Sequence, residues 1–177
     1  HDLAPGAALL FASAFSDEAT FADNIAALRA CGADVLVDDV IYFAEPMFQD
    51  GIVAQAASAA VADGALFFSA ATNAGDAGID QQYRDVDPLD DESPPPTGAD
   101  LHDFSGGQGW TAIRLPPRCD LRLTLQWNEP FSGTLGAGAA SDLDLYVFSA
   151  PPPAAILASS TNSQGCGREQ PGPGGDP

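Results

Sequence analysis

The sequence predicts an α/β unit followed by a β-rich module, and three observations carry that prediction. Over residues 1–83, short apolar runs alternate with longer segments of helical spacing. An acidic, proline-rich stretch at 84–103 then breaks the pattern. Over 104–177 the apolar period becomes two, as in half-buried antiparallel strands. The expected fold is a partial parallel sheet with flanking helices, joined by an acidic linker to a small antiparallel β-sandwich.

The elements follow in order. Ala8-Leu9-Leu10-Phe11-Ala12 is an apolar run of strand length. It leads into Ser16-Asp17-Glu18-Ala19-Thr20, which offers N-cap oxygens and acidic residues for a helix start. Phe21, Ile25 and Leu28 then share one helix face, and Gly32 is placed to end the helix. Val35-Leu36-Val37 reads as a second strand, the alanine-rich segment from Gly51 to Asp63 as a helix closed by Gly64, and Leu66-Phe67-Phe68-Ser69-Ala70 as a third strand. Short links between strands and helices imply right-handed crossovers and a parallel sheet covered on both faces. Ligands of such sheets sit at the carboxyl ends of the strands, here Asp38-Asp39 and Thr72-Asn73.

In the second module, Leu121, Leu123, Leu125 and Trp127 alternate with Arg122, Thr124 and Gln126, and Leu143, Leu145 and Val147 with Asp142, Asp144 and Tyr146. Pro130, Gly133, Gly136, Gly138 and Pro151-Pro152-Pro153 supply turns, so a β-sandwich is the natural architecture. The glycine- and proline-rich tail from Gly165 offers no core residue.

Composition excludes several functions. The chain carries 25 acidic residues, 6 arginines and no lysine, a formal net charge of -19, and would repel a nucleic acid. Without lysine there is no Schiff base, P-loop lysine or lysine general base. No long apolar run of membrane-spanning length and no signal-peptide pattern is present, so a secreted parent would carry its signal upstream. Cys31, Cys119 and Cys166 lack CxxC spacing. Cys31 is expected as a small buried residue near a helix end, and Cys119 with Cys166 could pair in an oxidising compartment.

Two chemistries suggested by the α/β pattern fail on residues. Val35-Leu36-Val37-Asp38-Asp39 has the acidic strand end of a phosphoryl-accepting receiver domain, but that chemistry needs a lysine. A dinucleotide site needs glycines after the first strand, where Ser13-Ala14-Phe15-Ser16-Asp17 stands. A self-contained hydrolase needs a histidine beside its nucleophile; His1 is terminal, and His102, next to the acidic stretch, reads as a loop or strand-edge residue. No GxSxG elbow occurs.

The run Ala56-Ala57-Ser58-Ala59-Ala60-Val61-Ala62-Asp63-Gly64-Ala65-Leu66-Phe67-Phe68-Ser69-Ala70-Ala71-Thr72-Asn73 resembles, without gaps, the helix, glycine, strand and A-A-G-N end of the subtilisin-like serine peptidases. Leu3-Ala4-Pro5-Gly6-Ala7 is similar to that family's V-A-P-x-A turn, and Asp34-Val35-Leu36 to its D-V-I strand start. The resemblance implies a partial subtilisin-like sheet in residues 1–83 and makes Asn73 an oxyanion-hole donor; the alternative for Asn73 is a turn residue tolerant of left-handed backbone. It implies that Asp39, Val40 and Ile41 stand where the family's S-L-G strand pairs with the substrate backbone and lines its first specificity pocket. An insertion from Tyr42 to Asp50 follows and gives an acidic, aromatic groove suited to basic or bulky side chains. The family glycine before the asparagine is Thr72 here, a β-branched residue poorly suited to positive φ.

The family's catalytic aspartate and histidine precede the V-A-P-x-A turn and its serine follows the asparagine, so the resemblance implies that the 177 residues alone are inactive. With Asp142-Leu143-Asp144-Leu145-Tyr146-Val147 and then Ile156-Leu157-Ala158-Ser159-Ser160 as its strands, the module at 104–177 resembles the pre-peptidase C-terminal type of sandwich beside secreted bacterial peptidases. Asp142 and Asp144 share a strand face and could bind Ca2+, although solvent-facing carboxylates need no metal; no other cofactor is expected. The implied role is part of an extracellular endopeptidase acting on a polypeptide substrate. The rival is a non-catalytic extracellular binding module on a degenerate peptidase scaffold, and a third is a sheet that merely supports the sandwich.

Overall fold

The computed structural model describes residues 3–73, 75, 78–86, 101–131, 138–151 and 154–162. The chain forms two compact units, His1–Ala77 with Gln126–Ala137, and Gly78–Leu125 with Gly138–Pro177.

The first unit contains α1 (Glu18–Ala30), β1 (Val35–Asp38), α2 (Ile52–Ala62) and β2 (Leu66–Ser69). Helix α1 starts at Asp17, whose extended backbone lets its carboxylate accept from Thr20 N–H at 2.7 Å. Both helices end in the same way. Gly32 (φ 93°) and Gly64 (φ 95°) take the left-handed conformation, with Gly32 N–H donating to Arg29 O, Ala33 N–H to Leu28 O, Gly64 N–H to Val61 O and Ala65 N–H to Ala60 O. These are Schellman closures, which satisfy orphan carbonyls and turn the chain into the next strand. Cys31, expected to be buried, is the exposed C-cap of α1, because the closing turn rotates it off the apolar face.

β1 and β2 pair in parallel, Val35 with Leu66 through Asp38 with Ser69. Side chains alternate across this pair. Leu36 faces the helices and is 4% exposed, joining Phe21, Ile25, Val53, Ala60 and Ala65 in one buried cluster, with Phe67 packed against it. Ile25, 2% exposed, is its centre; burying such a side chain contributes about 1.5–3 kcal/mol. On the opposite face Val35, Val37, Leu66 and Phe68 are exposed, so α1 and α2 cover one side of the sheet and not both. The run Ala8–Ala12, expected as a strand, joins no ladder, and Leu9 and Phe11 are exposed.

Arg29 locks the amino edge of the sheet to the helix ends. Its guanidinium donates to Asp63 O at 2.7 Å and Ala33 O at 3.1 Å, and pairs with the carboxylates of Asp63 at 2.8 Å and Asp34 at 3.3 Å. One planar fork thus holds the C-termini of both helices.

In the second unit, β3 (Leu145–Phe148) and β4 (Ile156–Ser160) form an antiparallel pair with an irregularity between Val147 and Phe148. The strands expected near 145 and 156 are present; the expected strand at 121–127 forms no ladder, and Leu121, Leu123 and Leu125 are exposed. The described residues therefore make a hairpin where a sandwich was expected. The two ends of the acidic stretch pair with each other: Asp85 bridges His102, Val86 N–H donates to Leu101 O and Asp103 N–H to Arg84 O. Beside them Asp103 accepts from Gly107 N–H (2.8 Å) and Gln108 N–H (3.1 Å). Those bonds, Gly107's foremost, hold its pKa below the usual aspartate range. His102, expected as a loop or strand-edge residue, lies in an isolated bridge outside the strands, its Nδ1 accepting from Arg84 N–H and its Nε2 bonded to Gln81 Oε1. Among the described residues no helix is long and apolar enough to cross a membrane.

Candidate functional site

The parallel register brings the carboxyl ends of β1 and β2 to one sheet edge. Asp38 and Ser69 are Cα partners there, the Ser69 hydroxyl donates to Asp38 Oδ1 at 2.9 Å, and Ala70 N–H donates to Asp38 O at 3.2 Å. The expected site residues leave the sheet together from this edge. Asp39, Val40 and Ile41 follow β1; Thr72 and Asn73 follow β2.

Asn73 is exposed. The residue before it, Thr72, has φ 63°, one of two non-glycine residues with positive φ among those described. A β-branched residue in this region is strained by on the order of 1–3 kcal/mol, and such strain concentrates at functional sites. Thr72 thus has the backbone that glycine takes most easily.

Val40 and Ile41 line an open hollow of about 240 Å³ with Ala14, Phe15 and Tyr42. Asp39, next to them, is exposed and is not among the lining residues. Tyr42 shapes the hollow's wall: its hydroxyl donates to Ala14 O and its ring packs on Phe21 with centroids 5.8 Å apart. Phe21 belongs to the buried cluster, so the wall stands on the core. Burial raises the Tyr42 pKa, and the charges of Asp17, Glu18, Glu45 and Asp38 raise it further.

Glu45 sits in the insertion beyond Tyr42. Helix α2 begins at Gly51, which has no side chain to cap it, and Glu45 supplies a carboxylate to the Ala54 N–H. Glu45 nevertheless titrates above its ordinary range, because burial, Glu18 and Asp38 outweigh that bond. Gly51 is required by packing: a Cβ there would lie 2.9 Å from Pro46 Cδ.

The loop that carries the hollow is held by two glutamines that sequence reasoning did not single out. Gln126 accepts from Met47 N–H at 2.8 Å and donates to Glu45 O at 2.8 Å; Gln49 donates to Glu129 O and accepts from Phe131 N–H at 2.9 Å. Gln126 was expected on the polar face of a strand. Its role depends on contacts some 80 residues apart along the chain, and no local pattern signals them.

Of the remaining candidates, Asp142 and Asp144 join no group of three metal-ligating side chains among the described residues, and Tyr146 donates to Asp144 at 3.3 Å. Cys119 is exposed, and Cys166 lies outside the described residues. His1 lies outside them too. No family model, no curated protein and no solved structure matches this chain.

Proposed function

We propose that the chain is a segment of a secreted subtilisin-like serine endopeptidase, in which Asn73 stabilises the oxyanion formed during acyl transfer. The observation that carries this reading is the placement of Asn73: exposed, at the carboxyl edge of a parallel strand pair, directly after a residue at φ 63°. When a serine attacks the scissile carbonyl, its oxygen gains negative charge, and an amide N–H already in place stabilises that charge without reorganising. Val40 and Ile41, with Asp39 beside them, flank the polypeptide substrate. The catalytic aspartate, histidine and serine come from other parts of the peptidase.

The test is Asn73→Ala in the full-length protein. The expected result is a fall in kcat of about 10²–10³, with KM little changed; that magnitude belongs to subtilisin itself and is carried over with the resemblance. An unchanged kcat removes the assignment. Thr72 favours a second reading, because strain in place of the family glycine fits a degenerate scaffold that binds without catalysis. Fluorophosphonate labelling of the full-length protein separates the two: a peptidase is labelled, a binding module is not.

A further inference from the structure

We infer that the hollow beside Val40 and Ile41 selects a cationic side chain, arginine or lysine, from an extended polypeptide. The inference rests on the peptidase reading only for the idea that a peptide crosses this edge.

Shape and charge both point to that occupant. The lining is apolar and aromatic, from Phe15, Val40, Ile41 and Tyr42, and suits the methylene stem of a long side chain. Two of the lining residues, Phe15 and Tyr42, are aromatic, and an aromatic ring attracts a cation that reaches its face. Around them the charge is of one sign. Asp17 and Glu18 open α1 three residues or fewer after Phe15, Asp38 ends β1 two residues before Val40, and Glu45 lies three residues after Tyr42. The charges of all four act on the Tyr42 phenol.

No cation of the same unit offsets them. The sequence of the first unit has twelve carboxylates and one arginine, Arg29. Arg29 is committed to Asp63 and Asp34 at the other edge of the sheet. An acidic peptide side chain would meet repulsion here, and a neutral one would forgo the attraction.

The test is a binding titration of the isotope-labelled 177-residue chain, followed by the amide signals of Val40, Ile41 and Tyr42. The probes are an acetylated, amidated tetrapeptide carrying arginine and its citrulline and glutamate counterparts. The attraction of even one carboxylate at contact in water-like surroundings corresponds to about fivefold in affinity, so arginine should bind at least about fivefold tighter than citrulline. The preference should shrink in about 0.5 M salt. It should also shrink in Glu18→Gln and, independently, in Asp38→Asn.

Equal affinity for arginine and citrulline, or shifts confined to other residues, overturns the proposal. So does movement of these three signals with protein concentration alone, which would make a second copy the occupant. The readout uses no turnover, so its outcome is separable from that of Asn73→Ala. Selective binding with an unchanged kcat in that variant sinks the peptidase and keeps the hollow; equal binding with a collapsed kcat does the reverse.

Discussion

Replacing Thr72 tests the strain at the candidate oxyanion edge. With φ 63°, Thr72 holds a conformation that costs an L-residue roughly 1–2 kcal/mol, and β-branching places it at the upper end. Thr72→Asn removes the branching and introduces a residue that visits this region readily, so it should stabilise the unit by about 1 kcal/mol. Thr72→Gly relieves more strain but loses about 0.5–1 kcal/mol to the greater freedom of the unfolded chain, and should gain somewhat less. Thr72→Val keeps the branching and should gain nothing. Urea unfolding followed by Trp127 fluorescence, with Trp110 replaced by phenylalanine, reports on the unit that holds Thr72. Thr72 has an interaction of its own, and the ranking tests whether strain outweighs it. If the asparagine and glycine variants both unfold at lower urea than the parent, the strain argument is wrong.

Three further outcomes follow from the packing. Arg29→Met should cost about 1–3 kcal/mol, because it leaves the carbonyls of Asp63 and Ala33 without their charged donor; its carboxylate partners are 71% and 88% exposed and add little, so the loss should change little with salt. Ile25→Ala, at the only fully buried large side chain among the described residues, should cost about 2–5 kcal/mol and unfold a unit with so small a core. Glu45→Gln should stabilise the chain at neutral pH: the folded-state pKa of Glu45 is raised, so its contribution is full below the unfolded pKa and is lost as pH rises through the folded one. That gain should vanish near pH 3, where both forms are neutral, and acid titration of the two proteins by circular dichroism would show it. Asp17 and Asp103, with lowered values, act oppositely and lose their contribution as pH falls through their folded-state pKa.

Local chemistry was enough to place the first unit's helices and paired strands. The Asp17 cap, the Phe21 and Ile25 face, and the two glycine closures each act within one or two turns, where residue spacing is also spatial adjacency. The parallel pairing of β1 with β2 follows because a helix must intervene between them. Thr72 stands out in the sequence as the departure from the resembled pattern, because tolerance of positive φ depends on residue type, and its φ is 63°.

Tertiary structure decided what depends on distant partners. Ala8–Ala12 and Leu121–Leu125 have strand-like patterns but no neighbouring ladder, and a strand's hydrogen bonds lie outside itself. The uncovered face of β1 and β2 reads identically in sequence to a covered one, because alternation shows that a face is apolar and not what lies on it. The Arg29 fork to Asp63 and the two glutamines that hold the loop after Tyr42 join residues about 30 to 80 positions apart, and Asp17 and Glu18 act on Tyr42 from about 25 positions away; only the folded chain brings them within reach of one another.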